Sequence, residues 1–300
     1  METREQATER GSLQFEIVSG TVAVTGYSGR DAVLVIPETV EGCPVVWIGK
    51  KAFLSCKTLR EIRLPESLAG IGDWAFSYCT GLEVITLPYR RLEIGQGAFK
   101  ECMALTQIRD CRGGEKNEDV SFLLAATVGM LDAFYLFDPE NAGTENWLAV
   151  FDARVATQMA LADNDGFSKM LLCGEEDCGS RDTDVGYYME QKRRGKVRLV
   201  MLRLFHDYGL KESLQKELVH YFLDHVKGCE SEETWQVILE EHGDERRYYE
   251  LLTDLGGVNK ENFQGMMEDM GERHAEMKAY LMRYHDGLRK KEDAFAQFEL

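Results

Sequence analysis

Two cysteines that bracket a short acidic segment come nearest to a metal-binding pattern in this chain. Cys173 and Cys178 flank Gly174 and the acidic residues 175–177. Thiols at this spacing can bind zinc, but a tetrahedral structural site needs four ligands, and the others would have to come from Cys229 or from distant histidines. We therefore favour an exposed acidic loop over a zinc site, and we predict no bound metal.

A second candidate is the Asp-Asn-Asp-Gly run at residues 163–166, which is similar to part of a calcium-binding loop. In such a loop the position of the glycine fixes the positions of the acidic ligands. Counting from Gly166 places Leu161 at the first acidic position and Leu172 at that of the closing glutamate. Because leucine cannot bind calcium, we interpret the run as a turn that ends a helix.

No combination of nucleophile and base that is typical of an enzyme is present. The sequence has no His-Glu-x-x-His pair, no Gly-x-Ser-x-Gly motif, no glycine-rich phosphate loop and no dinucleotide fingerprint. We therefore predict that the chain is not an enzyme, with no catalytic residues, no cofactor and no small-molecule substrate. The histidines, which we expect at the surface or at helix ends, are His206, His220, His225, His242, His274 and His285.

A basic run interrupts the acidic second half of the chain. It comprises Lys192, Arg193, Arg194, Lys196, Arg198 and Arg203, interleaved with aliphatic residues. This pattern predicts an amphipathic helix with a basic face. Such a face could bind RNA or an acidic peptide, but we favour a solvated face that pairs with nearby carboxylates such as those at residues 175–177.

The first half of the chain is built from a 23-residue repeat. The segments 48–53, 71–76 and 94–99 share the pattern Ile-Gly-x-x-Ala-Phe, and cysteine, leucine and isoleucine recur downstream in the same register. A period of roughly 20–29 residues with this leucine and isoleucine spacing is typical of a leucine-rich solenoid. We expect the phenylalanines to form a ladder, Cys56, Cys79 and Cys102 to pack as buried thiols, and each Gly of the Ile-Gly pairs to mark a tight turn.

The repeat unit Ile-Gly-x-x-Ala-Phe-x-x-Cys-x-x-Leu-x-x-Ile-x-Leu-Pro resembles the BspA-type subclass of bacterial leucine-rich repeats. Segments 26–29, 35–38 and 42–45 resemble the first, capping repeat of that family, so the resemblance covers about residues 21–110. It implies a solenoid fold and, loosely, a role in interaction or adhesion. Many members are exported, but residues 1–12 are polar and lack the apolar stretch of a secretory signal. We therefore expect a cytoplasmic protein, or a surface or secreted one if a leader has been removed.

The outward positions of the repeat strands are the best candidates for a binding site. Side chains alternate along a strand, so one residue in two faces solvent. The register predicts these outward residues: Val33, Val35, Glu61, Arg63, Val84, Thr86, Gln107 and Arg109. Their mixture of apolar, acidic and basic groups suits a protein or peptide rather than a phosphate backbone. An equally weighted alternative is that they are only solvated strand residues.

Charge and composition divide the chain near residue 112. Residues 1–112 have 13 Lys or Arg and 14 Asp or Glu, whereas residues 113–300 have 22 and 38 and therefore a net charge of −16. We expect an α+β protein, with a leucine-rich repeat domain at 1–112 and an acidic all-helical domain at 113–300. From about residue 210, a weak 28-residue step predicts stacked helical hairpins, loosely similar to ankyrin repeats.

The acidity makes nucleic acid and anionic membranes poor partners. We therefore expect a non-catalytic scaffold or adaptor that binds a protein or peptide. The alternative is a regulatory or specificity subunit that docks on an enzyme through its acidic helical half.

Overall fold

The computed structural model describes residues 2–113, 118–168 and 184–298. The fold is α+β, as predicted, with an N-terminal solenoid and helices in the C-terminal half. Two compact units are present: residues 1–158 with 205–210, and residues 159–204 with 211–300. We refer to them as unit 1 and unit 2.

The strands of unit 1 form two sheets on two sides of the solenoid. The strands are β1 (Glu2–Ala7), β2 (Gly11–Val18), β3 (Thr21–Gly29), β4 (Val33–Val35), β5 (Thr39–Val40), β6 (Cys43–Ile48), β7 (Glu61–Arg63), β8 (Gly70–Ile71), β9 (Val84–Leu87), β10 (Glu93–Ile94) and β11 (Gln107–Asp110). One sheet has the order β1-β2-β3-β6-β8-β10, with β5 paired to β6, and the other has the order β4-β7-β9-β11. In the second sheet Ile62 pairs with Ile85 and Ile85 with Ile108, which is the predicted 23-residue register.

The predicted aromatic ladder is confirmed. Phe53 and Phe76 stack with ring centroids 5.0 Å apart and planes inclined by 6°. Phe76 and Phe99 stack at 5.6 Å and 2°. Tyr27 extends the ladder into the N-terminal coil, 5.7 Å from Phe53. All three phenylalanines are at most 1% exposed, so the ladder forms the continuous core that no single coil could bury alone.

Two of the three repeat thiols, Cys79 and Cys102, are buried as expected, whereas Cys56 is only half-buried. Cys79 Sγ donates to the Phe53 carbonyl at 3.0 Å, and Cys102 Sγ donates to the Phe76 carbonyl at 3.1 Å. Each bond joins a coil to the coil before it. Burial raises the pKa of Cys102 to about 12, so this thiol stays protonated and serves as a donor.

Each glycine of the Ile-Gly pairs marks a tight turn, as predicted, because its carbonyl accepts from the N–H three residues later, as Gly49 does from Ala52 and Gly95 from Ala98. Gly95 and its equivalents do not lie in the left-handed region, whereas the residues two positions later do: Lys51, Trp74 and Gly97 have φ between 51° and 61°. The glycine is needed for a different reason. A Cβ on Gly95 would lie 2.3 Å from the Asp73 nitrogen, so only glycine allows consecutive coils to stack this closely.

Three non-repeat segments complete unit 1 at its C-terminal end: α1 (Glu118–Gly129), a 3-10 turn (Phe134–Leu136) and α2 (Glu145–Ala160). α1 is buried along almost its whole length, and Ser121 Oγ donates to the Ile108 carbonyl of β11 at 2.6 Å. The contacts therefore divide the chain near residue 158, later than the change of composition at residue 112. The reason is that α1 is too apolar to stand alone and packs on the last coil. The domain division at 112 stays a prediction.

All the regular secondary structure in the described residues of unit 2 is helical. Its helices are α3 (Val185–Phe205), α4 (Glu212–Leu223), α5 (Glu233–Glu241), α6 (Arg246–Asp254), α7 (Phe263–Met270) and α8 (Ala275–Phe298). The 28-residue step places Trp235 near the start of α5 and Phe263 at the start of α7, and a second helix follows each of them after a short connection. Trp235 Nε1 donates to Asp269 Oδ2 at 2.7 Å, which joins the two pairs. The likeness to ankyrin repeats stays a prediction.

The basic residues of α3 are paired, as favoured, but they are not a solvated face. Arg194 and Lys196 are only 8% and 7% exposed. Arg194 donates to Glu240 and Glu241 at 2.8 and 2.7 Å, and Lys196 donates to Asp163 at 2.8 Å. The expected acidic partners at residues 175–177 lie outside the described residues.

Candidate protein-binding surface

The eight predicted binding residues lie on one face of the sheet β4-β7-β9-β11, which we call the sheet face. The pairing register arranges them in two rows across the strands: Val33, Glu61, Val84 and Gln107 in one row, and Val35, Arg63, Thr86 and Arg109 in the other. The residues between the rows are Leu34, Ile62, Ile85 and Ile108, each at most 4% exposed. Strand alternation therefore separates two outward-facing rows from the core row between them, as the sequence predicted.

An apolar corner occupies one edge of the sheet face. Val33 and Val35 are 60% and 61% exposed, and they belong to β4, an edge strand of the sheet. Val84, two strands away in the row of Val33, is half-buried. Exposed valines on neighbouring positions present an aliphatic surface that gains free energy when a partner covers it.

The middle of the sheet face is covered by two arginines. Arg109 Nε donates to Gln107 Oε1 at 2.8 Å, and the Arg63 guanidinium reaches across β9 to within 3.5 Å of the Cys111 carbonyl. Thr86, which lies between Arg63 and Arg109 in the register, is only 8% exposed, and Gln107 is 7% exposed. Thr86 and Gln107 were predicted to be exposed, and this was wrong because longer neighbours fold over them.

The arginines are weakly engaged and so remain available to a partner. The nearest carboxylate contact of Arg109 is Glu61, 3.9 Å away, and both side chains are about half exposed. An exposed ion pair of this kind contributes little, about 0–1 kcal/mol. The eight positions carry two guanidinium groups and one carboxylate. Their charge therefore complements a partner with an acidic group near an aliphatic one.

The histidines lie mostly at helix ends, as predicted, but five of the six are half-buried rather than exposed. Several stack on aromatic rings, including His206 on Phe122 at 4.0 Å and His242 on Tyr248 at 3.7 Å. His220, by contrast, has a side chain that is 80% exposed. The stacked histidines are therefore explained as packing residues.

Of the two sequence candidates for metal binding, only the run at residues 163–166 lies within the described residues. Cys173 and Cys178 lie outside the described residues. Asp163 follows α2 in a turn, where its carboxylate accepts from Lys196 and lies 3.5 Å from Arg193. Within the part of the chain that the structure describes, no three His, Cys, Asp or Glu side chains cluster closely enough to hold a metal. The described helices include none that is both long and apolar enough to span a membrane.

The stacked parallel coils, their 23-residue register and the shared aromatic ladder define a leucine-rich repeat solenoid within unit 1. A family model described as "BspA type Leucine rich repeat region (6 copies)" matches residues 34–122. The resemblance seen in the sequence is thereby confirmed: residues 34–122 are a BspA-type leucine-rich repeat region. The match runs into α1, beyond the limit near residue 110 expected from the repeats alone.

Solved bacterial leucine-rich repeat proteins are similar to about a third of the chain. A T. pallidum leucine-rich repeat protein is 34% identical over 35% of this chain and 49% of its own, with a TM-score of 0.31. A leucine-rich cell surface protein from Faecalibacterium prausnitzii is 28% identical over 35% of this chain and 30% of its own, with a TM-score of 0.30. A Bacteroides capillosus protein is 29% identical over 39% of this chain and 91% of its own, with a TM-score of 0.31. The chain spans about half or less of the length of the first two, and no curated protein matches it.

Proposed function

We propose that this chain is a non-catalytic scaffold or adaptor that binds a protein or peptide through the sheet face. Leucine-rich repeats of this family are in general scaffolds for protein–protein interaction. The observation that carries the proposal for this chain is the placement of Val33 and Val35 beside Arg63 and Arg109 on one exposed face. Arginine with apolar neighbours is a combination enriched in protein interfaces.

The partner suited to this face carries a carboxylate and an aliphatic side chain close together. Neighbouring strands lie about 4.8 Å apart, so Val35 and Arg63 are separated by roughly one strand spacing and Arg63 and Arg109 by two. An acidic group that docks between the guanidinium groups would therefore place an adjacent aliphatic group over the valines. The face is small, and neighbouring loops would have to contribute to reach a standard interface of about 800 Å² per partner.

A charge-reversal capture experiment tests the proposal on the full chain. The wild type and an Arg63→Glu/Arg109→Glu variant are immobilised and exposed to native lysate, and bound proteins are identified. Lys57→Glu/Arg91→Glu is a matched control, because it makes the same change of net charge at two exposed positions away from the sheet face. We expect a partner that is retained by the wild type and the control and lost by the arginine variant. Retention by the arginine variant would contradict binding at the sheet face.

The alternative, docking of the acidic helical half on an enzyme, has less support. Asp163, Glu233, Glu240 and Glu241 already pair with basic residues of α3. Carboxylates that are used inside unit 2 are not available to imitate a phosphate backbone or to dock on another protein. This part of the acidity instead stabilises the position of α3.

A further inference from the structure

Unit 1 contains a surface cavity that is separate from the sheet face. Its volume is about 560 Å³, within the range of small-molecule and side-chain binding sites. The turns of the second and third coils and the segment after α1 form its walls. The apolar residues that line it are Trp74, Met103, Val128, Met130 and Phe134. Polar side chains, among them Gln96 and Lys100, complete the wall, and the size of the cavity is typical of a ligand site.

Trp74 is a fixed wall of this cavity rather than a core residue. It occupies the same left-handed position of the repeat as Lys51 in the coil before and Gly97 in the coil after. A Cβ on Gly97 would lie 2.7 Å from Trp74 Cδ1, so the indole packs directly over the glycine backbone. Since Lys51 fills the same position in its own coil, the fold does not require tryptophan here. A rigid aromatic ring held at a cavity wall binds a partner at a low cost in conformational entropy.

Exposed methionines line the same cavity. Met103, in the third coil, is 70% exposed, and Met130, just after α1, is 38% exposed. Methionine is flexible and polarizable, and it is common at surfaces that adapt to different apolar side chains. Two such residues beside an indole indicate a cavity that accepts an aliphatic or aromatic side chain.

Charges are distributed unevenly along the cavity. Lys50 and Lys51 place their ammonium groups over the Trp74 ring, 4.9 and 5.6 Å from its centroid. Lys100 lines the cavity and lies 6.0 Å from the Tyr78 centroid. Among the described residues, none of these three lysines forms an ion pair with a carboxylate. Lys50 and Lys51 therefore attract an acidic group on the side of Trp74.

Carboxylates mark the other end of the cavity. Glu101 belongs to the third coil and Asp132 follows α1, and both line the cavity. The nearby Asp73 carboxylate is already used, because it accepts from the Gln96 N–H at 2.9 Å. In coil order, Lys50 and Lys51 of the first coil lie against the ring of Trp74 of the second coil, outside the lining, whereas Lys100 and Glu101 of the third coil and Asp132 after α1 line the cavity itself.

We propose that this cavity is a second binding site, for an extended peptide segment of another protein that inserts an apolar side chain between Trp74 and the two methionines. The segment carries an acidic residue on the side of Lys50 and Lys51 and a basic residue on the side of Asp132. Coils stack about 4.8 Å apart and an extended chain advances about 3.3 Å per residue. The acidic and basic residues are therefore about four positions apart, with the apolar anchor between them. The polar groups of the cavity include charged side chains, and its apolar wall includes the thioethers of two methionines. This combination suits a peptide better than a sugar.

Selection from a phage-displayed library of random heptapeptides on the full-length protein tests this site. Enriched sequences are synthesised with a fluorescent label, and their affinity is measured by anisotropy. We expect an apolar residue flanked by an acidic and a basic residue, and a loss of affinity of at least about tenfold in Trp74→Lys and in Met103→Glu. Trp74→Lys introduces the residue that the same repeat position already holds in Lys51, so the coil keeps its conformation, which circular dichroism checks.

Two controls separate this site from the rest of the surface. Tyr135→Ser removes an aromatic side chain that is 70% exposed but does not line the cavity, and it should leave the affinity unchanged. Arg63→Glu/Arg109→Glu should also leave it unchanged, because the sheet face is a different surface. Failure to enrich a common pattern, or binding that survives Trp74→Lys, would overturn the proposal. A peptide that is lost only with the arginine variant would support the sheet face and overturn the cavity site.

Discussion

Phe99 of the last coil stacks on Phe137, with ring centroids 5.2 Å apart and planes inclined by 39°. Phe137 belongs to no repeat, and it is only 6% exposed. The aromatic ladder that begins at Tyr27 is therefore closed by a ring from outside the solenoid. Without this ring the last phenylalanine of the array would face solvent, because a terminal repeat has no neighbour to cover it.

The first prediction concerns this closing contact. Phe137→Ala should lower the free energy of unfolding of unit 1 by about 3–5 kcal/mol, since it removes a buried aromatic ring and leaves a cavity against Phe99. Denaturant unfolding monitored by circular dichroism measures the change. Tyr135→Ala is the control: its ring is two positions away and 70% exposed, so the loss should stay within about 0.5 kcal/mol. Equal effects of the two variants would show that the ladder does not depend on its cap.

The second prediction concerns the middle of the ladder. Phe76→Ala should cost about 3–5 kcal/mol as a truncation in the core. Because Phe53 N–H donates to Ala75 and Phe76 N–H to Ala98, amide hydrogen exchange should quicken in the coils on both sides. Arg63→Ala should change stability by less than about 0.5 kcal/mol, since its side chain lies on the surface. A wild-type melting curve for Phe76→Ala would contradict the register.

The solenoid was predictable because its signal is repeated. Phe53, Phe76 and Phe99 recur in register with small residues and leucines, and one stacking solution satisfies all of them. The same register located every outward strand position, since alternation along a strand needs no tertiary information. Position on a face is a local property, and the sequence encodes it locally.

Exposure and capping were not predictable in the same way. Whether Thr86 is exposed depends on the conformation of Arg63 and Arg109, which come from other coils. The role of α1 as a cap depends on which part of the chain covers this apolar helix. The periodicity of its apolar residues indicates only that the helix must be covered. The need for Gly95 arises from the backbone of the preceding coil at 2.3 Å, a contact between residues 22 apart in sequence. Each of these is a consequence of packing between distant segments.

The third prediction uses two glycines with opposite surroundings. Gly95→Ala should destabilise unit 1 by about 1–3 kcal/mol, because the new Cβ meets backbone atoms that cannot move aside. Gly195 lies inside α3, and a Cβ there would meet no atom within 4 Å. Gly195→Ala should therefore stabilise unit 2 by about 1 kcal/mol through higher helix propensity. Thermal unfolding of both variants provides the comparison, and stabilisation by Gly95→Ala would refute close coil stacking as the reason for the glycine.

The fourth prediction concerns acid stability of the N-terminal cap. Asp31 is 3% exposed, and its carboxylate accepts from Thr8 Oγ1 at 2.5 Å, Tyr27 OH at 2.7 Å and Arg10 N–H at 2.9 Å. Burial alone would raise the pKa of Asp31, but these three donors outweigh it and lower the pKa below its usual value of 3.8. Burial also raises the pKa of Tyr27 to about 12, so the phenol remains a donor at all pH values of interest.

A lowered pKa in the folded state fixes the sign of the pH dependence. The unfolded chain binds a proton at Asp31 more readily than the folded chain, so the stabilisation is present above the unfolded pKa and is lost as pH falls through the folded pKa. Unit 1 should therefore lose stability from about pH 4 downwards. Asp31→Asn should be less stable at neutral pH and should show a shallower acid dependence, measured by denaturant unfolding between about pH 2 and pH 7. Glu9→Gln, at an exposed carboxylate beside the same turn, should keep the wild-type profile. An Asp31→Asn profile parallel to the wild type would mean that the three hydrogen bonds do not depend on the charge of Asp31.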